Sequence, residues 1–199
     1  MKRRYLIGLT LIVVLSGPWT TFTKAQSQNQ QDYLLLATNR TSTMQNEMQE
    51  AADQGYVFAG VMGGETSFGG QEVVVVMKRS AADHHPRYDY QLLATTRTST
   101  MQREMQDAGD AGYVYKGQTL FETTFGGEEA VVILERDNEQ AAVRPYEYRL
   151  LATNRTSTMQ DELNEAGLDG FEFVGVTVSS TLFGGDEVVA ILKRAVPSN

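Results

Sequence analysis

Along YDYQLLAT (88–95) apolar and polar positions alternate well enough for a half-buried strand, with Tyr90, Leu92 and Ala94 on one face. The period then lengthens. In TSTMQREMQDAGDAG (98–112), Met101, Met105 and Ala108 recur at i, i+4 and i+7, the apolar stripe of a short helix. Ser99 and Gln102 have the spacing of a capping box, and Gly112 stands where a left-handed C-terminal cap is wanted. YVYKG (113–117) returns to a strand with Tyr113 and Tyr115 on one face. TTFGG (123–127) reads as a turn, where Gly takes positive φ at little cost. EAVVILER (129–136) closes the unit as a strand. The unit therefore reads β-α-β-β.

The pattern is written three times. Residues 33–79, 90–136 and 148–194 superpose without a gap, and about half the positions are identical in all three. This is internal duplication. A right-handed crossover with the last strand inserted between the first two gives the order 1-3-2. The expected fold is α+β: three tandem units, each a three-stranded sheet with one helix on a face. In the first unit the closing strand, EVVVVMKR (72–79), is apolar on both faces, so it should be central and covered on both sides. Leu36, Val74 and Val76 cannot all face the one helix. A 47-residue unit with no Cys and no metal motif is also marginal alone. The units are expected to dock sheet to sheet, within the chain or between copies. Independent beads on a string are the alternative.

Polar segments separate the units. SAADHHPRYD (80–89) and DNEQAAVRPYE (137–147) read as linkers, QSQNQQD (26–32) as an N-terminal arm and 195–199 as a tail. Residues 1–25 read as an export signal: Lys2, Arg3 and Arg4, then the short apolar run YLIGLTLIVVL, then small and polar residues with a cut after Ala25. An uncleaved anchor is the other reading, but the run is shorter than the roughly 20 residues of a standard span. Without Cys, lipidation through that residue is excluded. The expected location is the periplasm or the exterior, with no membrane span after cleavage. The leader carries four cations, Lys24 included, and no acid, so its removal takes the net charge from −8 to −12. So acidic a chain has no electrostatic footprint for nucleic acid and is repelled by anionic lipid.

LNEAGLDGFEFVGV (163–176), followed by AILKR (190–194), resembles the small bacterial domain-of-unknown-function family 4177. Its pattern opens on a Tyr-rich strand, continues Leu-Asn-Glu-x-Gly-x-x-Gly-Trp-Glu-Leu-Val and closes on Ile-Leu-Lys-Arg. The third repeat has Phe171 in place of the Trp. The first two put Val57 and Val114 in place of the Glu, and Met48 and Met105 in place of the Leu. The matching residues are mostly packing residues. The resemblance implies the β-α-β-β fold and no activity.

Three features are candidate sites. Arg40, Thr41, Ser42 and Thr43, with Arg97, Thr98, Ser99 and Thr100 and with Arg155, Thr156, Ser157 and Thr158, put a guanidinium and hydroxyls at each helix start. Such a start could hold a small anion. The plainer alternative is that Thr or Ser caps the helix and Arg pairs with an acid such as Glu72. At the FGG turns, Glu72, Glu129 and Glu187 recur, with Glu128 and Asp186 beside two of them. No spaced ladder of oxygen ligands makes a Ca²⁺ site there, so these acids are expected to face Arg79, Arg136 or Arg194. Phe68, Phe125 and Phe183 either form a contact patch or plug the sheet end. His84 and His85 lie in one linker with no third ligand, which predicts a solvated pair. No metal, cofactor or catalytic residue is expected. The repeated hydroxyls have no imidazole base within a unit, which leaves only carboxylate chemistry at Glu47, Glu104 or Glu162. Threefold repetition suits avidity. The chain is therefore read as a non-catalytic exported binding or interaction module, with a protein or a small anion as partner. A purely structural repeat protein is the alternative.

Overall fold

A computed structural model describes residues 31–66, 70–80, 84–122, 128–180 and 186–197. The first unit comprises β1 (Gln31–Thr38), α1 (Thr41–Ala52), β2 (Val57–Thr66) and β3 (Gly70–Ser80). The second comprises β4 (Tyr88–Thr95), α2 (Thr98–Asp110), β5 (Val114–Glu122) and β6 (Glu128–Asp137). The third comprises β7 (Tyr146–Thr153), α3 (Thr156–Leu168), β8 (Glu172–Ser180) and β9 (Asp186–Ala195). Each sheet is antiparallel, in the order β1-β3-β2, β4-β6-β5 and β7-β9-β8. This is the expected 1-3-2 topology. Strand β1 starts at Gln31, so the last two residues of the expected arm belong to the sheet, Asp32 lying opposite Arg79.

Local chemistry sets the helix ends, and one end differs from expectation. At the C-terminal ends Gly55, Gly112 and Gly170 adopt φ of +84°, +84° and +83°. Gly112 N–H donates to the Gly109 carbonyl and Tyr113 N–H to the Ala108 carbonyl, closing the helix with the glycine cap expected. At the N-terminal ends the cap positions are Arg40, Arg97 and Arg155, extended and without a side-chain cap bond. Ser99 lies inside α2, and the Gln102 side chain reaches another unit, so no capping box forms. The hydroxyls of Thr38, Thr95 and Thr153 instead accept the N–H of those arginines at 3.1–3.2 Å.

The central strands explain the stacking. On β6, Ala130, Val132 and Leu134 pack with Met101 and Met105 of their own helix. Val131 and Ile133 point the other way, into a core that contains Met44 and Met48 of α1. Helix α1 is thus held between two sheets: its own, through Val73, Val75 and Met77, and that of the second unit. Helix α2 repeats the arrangement with Ile191 of β9. All these central-strand residues are fully or almost fully buried. At about 1.5–3 kcal/mol for each large apolar side chain, this shared burial adds to what each unit's own sheet and helix supply. The sheet-to-sheet docking expected from the sequence holds for half of each joint. Strand β2 lies directly on β5 and β5 on β8, whereas a helix intervenes over the first strands. The direct contact is close enough that a Cβ at Gly63 would overlap the Leu120 carbonyl oxygen.

Two helical glycines at equivalent places separate the joint from the open end. A Cβ at Gly109 would overlap the Tyr146 carbonyl oxygen and stand 2.9 Å from the Tyr148 ring, whereas one at Gly167 meets nothing within 4 Å. The first unit seats Ala52 there, with a longer carboxamide contact to the next strand, 3.5 Å against 3.3 Å. Gly167→Ala should stabilise by about 0.5–1 kcal/mol through helix propensity. Gly109→Ala should destabilise by about 1 kcal/mol or more through overpacking. Urea unfolding of the two variants reads the opposite signs.

Candidate interaction surface

The candidate helix starts are three separate places, each at the beginning of its own helix. Arg40, Arg97 and Arg155 are exposed, as are Ser42, Ser99, Ser157 and Thr158; Thr41, Thr43, Thr98 and Thr100 are half-buried. The Thr156 side chain lies outside what is described. No acid among the described residues pairs with the three guanidinium groups. At α2 a carboxylate is already present: Thr98 Oγ1 donates to Glu187 Oε1 of the third unit at 2.6 Å. The positive end of α2 is therefore met by the protein's own anion.

The other candidates disperse. Phe68, Phe125 and Phe183 lie outside the described residues, as do the FGG turns apart from Gly70, which opens β3. Arg79, Arg136 and Arg194 do not face Glu72, Glu129 or Glu187. They pair instead across the sheet with Asp32, Asp89 and Glu147, at 3.2, 2.6 and 2.6 Å. The same guanidinium groups stack on Tyr56, Tyr113 and Phe171 at 4.3–4.9 Å. His85 lies 3.4 Å from Glu139, both exposed. Among the described residues no three potential ligands gather as a metal site.

The polar residues that do converge join the units. In a 1-3-2 sheet the first strand is an edge, with outward N–H and C=O groups needing partners. The preceding helix supplies them. Gln45 and Gln49, one turn apart on α1, accept the N–H of Leu92 and Tyr90 at 2.9 and 3.1 Å, and Gln49 also donates to the Tyr88 carbonyl. Gln102 and Gln106 of α2 accept from Leu150 and Tyr148 at 2.8 and 3.0 Å and donate to the carbonyls of Tyr148 and Tyr146. Each carboxamide mimics a peptide group, so the pair replaces two rungs of a missing strand.

A tyrosine crosses each joint in the other direction. Tyr90 Oη accepts the Phe58 N–H at 2.8 Å and donates to Glu135 at 2.7 Å. Tyr148 Oη accepts the Tyr115 N–H at 2.7 Å and donates to the Tyr113 carbonyl at 3.2 Å. Both accepting sites serve the bulge in the second strand, where the register shifts between Phe58 and Gly60 and between Tyr115 and Gly117. Burial raises both hydroxyls well above the usual tyrosine range, with the Glu135 carboxylate adding to the effect at Tyr90. Burial likewise pushes Tyr115 up to about 12. Sequence reasoning missed the glutamines. Their signal was present: a carboxamide pair four apart, written twice as Gln-Gln and once as Gln160-Asn164.

Comparison with protein-family models, with curated proteins and with solved structures returns no match. Among the described residues no helix is long and apolar enough to cross a membrane.

Because Tyr90 and Tyr148 ionise far less readily in the folded chain than when unfolded, their stabilisation is complete below about pH 10, the ordinary tyrosine value, and is lost above it. From neutral pH upward, unfolding free energy should stay level to that value and then fall. Tyr148→Phe should cost about 1–2 kcal/mol at neutral pH through the lost hydroxyl bonds and should shallow the alkaline decline. Urea titrations across the pH range, read with tyrosinate absorbance, check both.

Proposed function

We propose that the chain is a non-catalytic interaction module of the periplasm or cell envelope, whose partner docks on the two ends of the stack rather than on the RTST segments. The observation that carries this reading is the distribution of exposed large apolar side chains. Tyr33, Leu35 and Met62 stand 61–67% exposed on the first unit, and Leu168, Phe173, Val176 and Val188 stand 40–90% exposed on the third. The described helix and strand residues of the middle unit contribute none. Apolar side chains gathered at two ends, with a satisfied middle between them, are the pattern of contact surfaces.

The strongest electrostatic perturbations fall on Tyr90 and Tyr148, where the joint accounts for them, so they do not point to acid–base work. Glu47, Glu104 and Glu162 sit on three different helices. The anion reading of the RTST segments is weakened by Glu187, which already serves one of them. A purely structural role shares the joints but needs no partner.

The test is retention of a partner from an envelope fraction on the immobilised chain, with three variants compared. Gly60→Arg and Phe173→Asp, one at each end, should each abolish or weaken retention. Arg→Ala at 40, 97 and 155 together should leave both retention and melting temperature unchanged. Loss of retention in the arginine variant alone would move the site to the helix starts. Turnover in a broad hydrolase screen, lost on changing one of the three glutamates, would make the protein an enzyme.

A further inference from the structure

The second and third units bury a face that the first unit also carries, uncovered by any described residue. Tyr90 and Tyr148 are 4% and 2% exposed, whereas their counterpart Tyr33 is 67% exposed. Leu92 and Leu150 are half-buried, whereas Leu35 is 65% exposed. Val131 and Val189 are fully buried, and Val74 only half. An end unit that had only to remain soluble would carry polar residues on its outer side. This one keeps the same Tyr, Leu and Val.

The third unit carries the other half of the joint, equally unused. Within the chain Phe58 fits against Gly117, whose Cβ would stand 3.2 Å from the ring, and the Tyr115 hydroxyl lies against Gly175. The corresponding socket at Gly60 has nothing within 4 Å among the described residues, and the corresponding plug, Phe173, is 57% exposed. The carboxamides that clasp an edge strand from α1 and α2 have their counterparts on α3 in Gln160 and Asn164. These are exposed and, among the described residues, bond to each other at 3.2 Å.

We infer that a second copy of this chain docks head to tail, the third unit of one copy holding the first unit of the next through a repetition of the internal joint. This rests on the end-face reading above. Gln160 and Asn164 take the outward N–H groups of Leu35 and Tyr33, and Phe173 enters the socket at Gly60. The Tyr33 hydroxyl accepts the Phe173 N–H and donates to the Phe171 carbonyl, as Tyr148 does with Tyr115 and Tyr113. Tyr33 has Lys78 opposite it on the central strand, as Tyr148 has Lys193, so the new joint matches the second internal one. The two contacting faces differ, so the assembly grows until it closes on itself or remains an open filament. With no linker supplying effective concentration, it depends on protein concentration. With an acidic chain on both sides, salt strengthens it.

Sedimentation velocity and light scattering on the purified exported chain, over a wide concentration range at two salt levels, test this. The expected result is mass growing past the dimer, more at high salt. Gly60→Arg fills the socket and Phe173→Asp removes the plug; no described residue covers the Gly60 socket, and Phe173 is exposed, so circular dichroism and melting temperature should stay those of the parent. Each variant alone should remain a single chain where the parent assembles, with apparent affinity at least tenfold weaker. Their equimolar mixture should form one-to-one dimers and stop there, because each contributes one intact face. A parent that is monomeric at every concentration overturns the inference, as does a variant that still dimerises alone or a mixture that stays monomeric. A monomer whose β1 amides resist hydrogen exchange assigns that face to the segment before β1 of the same chain and also overturns it. If self-docking fails while the end-face variants still lose their partner, the interaction reading survives; if neither measurement responds, both fall.

Discussion

An antiparallel sheet of three strands has two edges, and an edge is a row of peptide groups without partners. The first strand of each later unit meets that constraint with two carboxamides from the helix of the unit before it. The glutamines at 45 and 49, and again at 102 and 106, bond to the backbone of β4 and β7 at the spacing a neighbouring strand would use. Much else follows from this. A helix close enough to clasp the next edge is also close enough to place its methionines between two sheets. Its last turn must then have a small residue, Ala52 or Gly109, beside the incoming strand. The stack is therefore fixed in direction, because the clasp runs from helix to following strand and has no equivalent in reverse.

The tyrosines give the joint its register. Tyr90 and Tyr148 each reach the N–H of a bulged second strand, a donor that the ladder leaves over. Placing that hydroxyl fixes the sliding position of one sheet on the next, while the glutamines fix its distance. The arginines act within units rather than between them. Arg79, Arg136 and Arg194 close each sheet onto the acid of its first strand and lie over the aromatic residue that follows the helix. Polar groups at equivalent places from unit to unit thus serve two separate tasks.

The β-α-β-β order and the central last strand were legible because periodicity and two-sided apolarity carry them directly. Val131 and Ile133 alternate with Val132 and Leu134, and no sheet with one covered face needs that. The helix starts were read less well. Thr and Ser next to Arg suggested caps, yet cap position depends on where the chain bends out of the strand; Arg97 takes it without a side-chain cap bond, and the hydroxyl two residues upstream accepts only that arginine's own N–H. The acids after the FGG turns drew attention away from Asp32, Asp89 and Glu147, which lie across the sheet from the arginines and far from them in the chain. The RTST segments remained three places because each belongs to a different helix.

By itself the sequence determined the unit, its repetition, the glycine that ends each helix and the need for a second cover on each sheet. These are local or compositional properties, set by side-chain period, backbone freedom and the surface a short unit can bury. Only the tertiary structure decided what the second cover is. A helix inserted over one half of the sheet and a neighbouring strand laid over the other half look alike in a hydrophobic pattern, since both bury apolar side chains. Which one occurs depends on how far apart two backbones sit. That distance is set by contacts between residues some forty positions apart, such as Gln106 with Tyr148, and no run of neighbouring letters records it.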